Sequence, residues 1–268
     1  MSQQGLYSQE YREVSWPVLG ALTVPMFLGC FSVYLFRLSG DEVTIAVGLV
    51  LLTTGLLACA ALILFSGSGP VQAVASAIAL VQSVALFTIL LPGSGSIYAD
   101  AAILFTASAA VVLLYGRTVE LPSLGRTRLK EASVLAVLLL PVVLALGQTI
   151  FLGLRFWEFF QIGRPSLLFV PLLAMWGYVE EGLFRGIVLR SALPLLGGRG
   201  AIVLAAFLNA AFMMFWGSLL FVLFSFLLGL LMGYLYLRSR SLMYVGTMHA
   251  LQDTWMVIAY LALGIIAA

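Results

Sequence analysis

From Trp16 to Phe36 the chain runs without one Asp, Glu, Lys or Arg. A helix of that length measures roughly 30 Å, the thickness of a bilayer's hydrocarbon core. The pattern recurs along the chain. Nine apolar segments can be marked, roughly 16–36, 43–65, 71–91, 99–115, 132–152, 165–190, 201–216, 219–237 and 242–267. Short turns such as "SGSGP" and "LPGSGS" separate several of them. With 63% hydrophobic residues and 9% charged, the chain carries more apolar surface than a soluble core of 268 residues needs. The expectation is an all-α, polytopic membrane helix bundle of 8–9 transmembrane helices. The sixth segment is longer than one crossing requires, so it tilts or protrudes. The seventh is short, and eight spans plus a re-entrant piece is the alternative.

Lys and Arg in the loops predict orientation. Arg117, Arg126, Arg128 and Lys130 place the loop after the fourth segment in the cytoplasm. Alternation then puts Arg190, Arg199, Arg238 and Arg240 on the same side, with the N-terminus inside and the C-terminus outside. Arg155 and Arg164 fall outside, against the rule. A net charge of +2 gives no reason to expect nucleic acid as a partner. The lipid bilayer itself is the expected surrounding, in a bacterial or archaeal plasma (inner) membrane. Cys30 and Cys59 lie inside apolar segments and read as embedded thiols, not a disulfide framework. No cleavable signal peptide is expected, because a polar start precedes a run long enough to span.

Charge placement divides the chain. Up to about residue 160 the segments hold almost nothing ionisable, and this part reads as a transmembrane scaffold of helices (1–160). Asp100 lies near a segment end. The part from 165 to 262 reads as the site. In "GYVEEGLFRGIVLR", residues 177–190, two adjacent carboxylates and an arginine interrupt an apolar run. Ionisable groups at membrane depth face a bundle interior or a wet cavity, and they mark function. On a helix Glu181 and Arg185 share a face and can pair, either as structural support or as part of a site. Glu180 is rotated about 100° away and has no cation three or four residues distant. It is the better general base.

His249 is the single histidine, and Asp253 follows it on the same helical face. Asn209 lies mid-segment in "AAFLNAAF". A lone histidine is ordinarily a packing residue, but burying a titratable ring in lipid raises the case for function. Depth supplies a second argument. Counted from Arg190, Arg199 and Arg240, the residues Glu180, Glu181, Asn209 and His249 lie nine or ten positions in. At 1.5 Å per residue that is roughly 13–15 Å, one common level. Two GxxxG pairs, Gly182/Gly186 and Gly229/Gly233, allow helices to approach.

These motifs resemble the CPBP family, the CAAX-prenyl-protease and bacteriocin-processing intramembrane proteases. Glu180, Glu181 and Arg185 in "EEGLFRG" match its EExxxR. His249 and Asp253 match its last motif, a histidine with Asn or Asp one helical turn on. The stretch "FLLGLLMGYLYLRSRSLMYVGTMHA" is also similar to the family's run toward that histidine. The resemblance covers roughly 165–262. It implies a glutamate-activated water. The family's middle motif is FxxxH. Here Phe212 is present, and Trp216 stands where the histidine would be.

The chain contains no HExxH, and a hydrolytic zinc site usually takes three protein ligands. A carboxylate-rich site with one histidine suits zinc poorly, so the expectation is a metal-free site without a cofactor. Three functions compete. The first is an intramembrane endopeptidase acting on a membrane-associated protein or peptide. Glu180 is its base, His249 polarises the carbonyl or shuttles a proton, Asn209 and Asp253 orient water and the ring, and Glu181 with Arg185 holds the helix. The second is a non-catalytic scaffold, chaperone or immunity protein, which Trp216 favours. The third is a proton-coupled transporter, against which stands the lack of an inverted repeat of broken helices.

Overall fold

The computed structural model describes residues 15–39, 42–90, 131–152, 169–216 and 219–266. The fourth apolar segment, Asp100, the basic loop from Arg117 to Lys130, Arg155 and Arg164 lie outside the described residues. What is described is helical throughout, in helices α1 (Ser15–Ser39), α2 (Glu42–Phe65), α3 (Gly69–Leu90), α4 (Glu131–Leu152), α5 (Phe169–Glu181), α6 (Arg190–Phe212), α7 (Leu219–Ser239) and α8 (Leu242–Ile266). A π-helical stretch, Gly182–Leu189, joins α5 to α6, and a 3-10 turn, Met213–Trp216, ends α6. Five described stretches are long and apolar enough to cross a membrane: Val18–Leu35, Glu42–Phe65, Gly69–Leu86, Val170–Met213 and Leu219–Ser239. Leu57, Leu64, Phe65, Val143 and Leu220 point outward, as apolar side chains do when the solvent is lipid. The chain is an all-α membrane bundle.

The boundary between the sixth and seventh segments differs from the sequence expectation. Helical backbone runs on through Arg190 and breaks at Gly197, whose φ of 65° and ψ of 180° belong to a region essentially reserved for glycine. Arg190 alone does not stop a helix, whereas the GGRG stretch around Gly197 supplies the freedom to turn. That break divides a 44-residue apolar stretch, far longer than one crossing.

The chain forms two compact units. One holds α1, α2, α3, α6 and α7 as far as Gly233. In it α1 packs on α2, α3 and α6. A side chain at Gly229 would meet the Ala206 Cα at 2.8 Å, and one at Gly233 would meet Ile202 at 3.1 Å. This GxxxG pair therefore brings α7 against α6. The other unit holds α4, α5 with its π continuation to Gly186, and the chain from Tyr234 through α8. There α8 packs on both α4 and α5. Its start is well defined. Arg240 adopts a left-handed φ of 51°, its N–H bonds to the Tyr236 carbonyl at 2.7 Å, and the Ser241 hydroxyl accepts from the Tyr244 N–H at 3.2 Å. The last contact is a side-chain N-cap.

Candidate functional site

The two motifs meet where α5 crosses α8. Two glycines make the crossing close. A Cβ at Gly177 would sit 3.1 Å from the Ala250 backbone nitrogen, so backbone lies against backbone there. One turn away along α8, Gly246 lies under the Tyr178 ring, where a Cβ would collide with Cδ1. The Tyr178 hydroxyl reaches Thr247 Oγ1 at 2.6 Å at the exposed edge of the same contact. Residues 180 and 181 follow directly on α5. Residues 249, 252 and 253 share the facing stripe of α8.

His249 is the hub. Its Nδ1 lies 2.8 Å from Glu181 Oε1, an N–H donating to a carboxylate. The same Glu181 oxygen takes Arg185 Nη1 at 3.1 Å, one helical turn on. On the other side of the ring, Nε2 faces Glu180 Oε2 at 3.7 Å and Asp253 Oδ2 at 3.9 Å. Those separations exceed a direct hydrogen bond and are of the size that a shared third group spans. Glu180 has a local partner of its own. The Trp176 indole N–H donates to Oε1. All five residues of the cluster are buried: Glu180 4%, Glu181 0%, Arg185 0%, His249 5% and Asp253 5% exposed.

The structure thus brings Glu180, Glu181, Arg185, His249 and Asp253 together. Two details differ from the expectation drawn from spacing. Glu181 is shared between Arg185 and His249, and does more than brace its own helix. The ring's direct hydrogen bond goes to Glu181, while Asp253 stands off the opposite nitrogen. Asn209 lies on α6 in the other unit, 2% exposed, with Oδ1 lacking a hydrogen-bond partner among the described residues. Trp216 ends the 3-10 turn of that unit, and its side chain lies outside the described residues. Spacing did not point to Trp176, Gln148 or Gln252. A tryptophan does not stand out in an apolar run. The signal for Gln148 was available, since an amide mid-segment is as conspicuous as Asn209.

Among the described residues no group of three or more His, Cys, Asp and Glu is arranged to hold a metal ion. The arrangement suits proton transfer: two adjacent carboxylates address the two nitrogens of one imidazole, inside a low-dielectric interior.

Residues 162–255 match a family model described as Rce1-like, type II CAAX prenyl endopeptidase. No curated protein and no solved structure matches the chain. The match agrees with the motif-based resemblance and supports a CAAX-type protease kind of function for this region.

Proposed function

We propose, from the match of residues 162–255 to the Rce1-like family model, that the chain is an intramembrane endopeptidase working through glutamate-activated water. One observation carries this reading: Glu181 holds His249 Nδ1 while Glu180 faces Nε2 of the same ring. Glu180 is then the general base. It takes a proton from water as the water oxygen bonds to the scissile carbonyl carbon. The carbonyl π electrons move onto its oxygen, where the Nε2–H of the protonated ring donates to the developing charge. As the C–N bond breaks, Glu180 returns its proton to the leaving amine. Glu181 fixes the ring's orientation, and Arg185 keeps Glu181 in place. Trp176 aims the Glu180 carboxylate. Asp253 shares the water-facing side of the ring. On depth along the sequence, Asn209 is a further candidate for orienting water. The substrate class is a membrane-associated or carboxy-terminal-tail peptide.

The test uses purified protein and a fluorescence-quenched peptide ending in a prenylated CAAX sequence. Glu180→Gln keeps size and hydrogen bonding but loses the base. It should lower the cleavage rate by about 10²–10⁴-fold at unchanged membrane abundance. Equal rates in wild type and variant would remove Glu180 from the mechanism. The second reading, a non-catalytic relative, is favoured by Trp216 at the position of the middle-motif histidine. It takes over if the wild-type protein binds such peptides without cleaving them.

A further inference from the structure

Helix α4 lies outside the residues that the family model covers, yet it packs on α8 and brings a polar side chain to it. Gln148 is 6% exposed. Its Oε1 accepts from Gln252 Nε2 at 2.7 Å. Gln252 itself is fully buried and sits three residues after His249. An amide carries its acceptor oxygen and its donor nitrogen on opposite arms. With the oxygen committed to Gln252, the amide nitrogen is left to donate elsewhere. The Gln148 side chain lies within hydrogen-bonding reach of Asp253, the residue that follows Gln252 on α8. Asp253 Oδ2 in turn stands 3.9 Å from His249 Nε2. The hydrogen bonds thus run from one amide through another to a carboxylate, and end beside the catalytic ring.

A buried amide pair serving only as glue needs no carboxylate at its end. Asp253 could rotate about its own two side-chain torsions, and in an apolar interior every polar atom left without a partner is expensive. A donor fixed by a second amide removes that freedom.

We infer that Gln148 is a positioning residue of the candidate active site, which holds the Asp253 carboxylate against His249 Nε2 and so makes α4 part of the site. The inference rests on the endopeptidase reading above. Its test is chosen to fail separately from that reading. The full chain is purified, and steady-state cleavage of the prenylated CAAX peptide is followed per folded molecule. Gln148→Met keeps the length and removes both hydrogen bonds. It should lower kcat roughly tenfold with KM within about twofold, the scale of one lost hydrogen bond to a charged group. In an Asp253→Ala background, assayed by single turnover, the same change should have no further effect, because the residue acts through Asp253. Gln252→Leu leaves Gln148 in place but frees its amide to turn. It should lower kcat by about two- to fivefold, and it decides the matter if Gln148→Met fails to accumulate. An unchanged kcat in these variants, or losses that simply add in the Asp253→Ala background, would overturn the inference. A wild-type protein that binds the prenylated peptide without cleaving it would instead overturn the endopeptidase reading, whatever Gln148 does.

Discussion

Helices α1, α2 and α3 meet around Gln82, whereas α5 and α8 meet around His249. Both junctions bury polar groups between apolar helices, and both rely on a glycine. At the first, Gln82 Nε2 donates to the Leu22 carbonyl at 3.2 Å, near Pro25, and Oε1 accepts from the Cys59 thiol at 3.7 Å. Gly55 leaves room for that amide, since a Cβ there would lie 2.6 Å from Nε2. Every group is neutral, and both ends of the amide are engaged. At the second junction three carboxylates, an arginine and an imidazole share one place, and Glu181 Oε2 has no hydrogen-bond partner among the described residues. A neutral, satisfied amide costs little at membrane depth and ties helices together. A charged and incompletely satisfied cluster is a poor way to stabilise a bundle. The contrast separates adhesion from chemistry more clearly than polarity alone.

Variants at each junction can break or sharpen the contrast. The largest effect is expected at Glu181. Glu181→Gln removes the charge of the buried carboxylate that Arg185 and His249 share, so stability should fall by about 3–5 kcal/mol together with activity. Thermal unfolding in detergent reports the first, and peptide cleavage the second. If Glu180→Gln proved equally unstable, the two carboxylates would be one structural unit and the contrast would weaken. Next comes Gly177→Ala, whose added Cβ pushes α5 off the Ala250 backbone. Displacing catalytic groups by a fraction of an ångström to 1 Å should reduce kcat roughly tenfold or more, while the protein still accumulates. Gly55→Ala is the matching change at the neutral junction. It should lower stability by about 1–3 kcal/mol through overpacking and leave the cleavage rate per folded molecule unchanged. A fall in that rate would show that the neutral junction is not merely adhesive. The smallest effect is expected at Arg240, where glycine would relieve the left-handed φ and raise stability by about 1 kcal/mol, read as a shift in melting temperature.

The helices and the two motifs were legible in the sequence for one reason: in an apolar run a charge cannot hide. Glu181 with Arg185, and His249 with Asp253, are each one helical turn apart, so periodicity alone placed each pair on one face. Periodicity is silent about which helices meet. Glu181 and His249 are 68 residues apart and Gln148 and Gln252 are 104 apart, and neither contact follows from spacing. Trp176 was passed over because an indole looks like packing until its N–H has a partner. The π-helical stretch Gly182–Leu189 has no compositional mark either, since its hydrogen bonds, not its residues, define it. At the end of the sixth segment, Arg190 was read as a membrane boundary. Charge marks where a side chain wants water, whereas the helix itself ends only where the backbone can turn, at Gly197.

The contact at Gly177 bears on time as well as distance. Where backbone faces backbone, no side chain stands between α5 and α8 to swing aside, so rotamer flips on the picosecond-to-nanosecond scale cannot admit water at that level. Separation there requires two helices to move as bodies, a microsecond-to-millisecond event. The amide protons of His249 and Ala250 should accordingly exchange with deuterium among the slowest in α8, at the centre of a site whose chemistry depends on water. Water for the reaction must then arrive along the helices and not between them at the glycine.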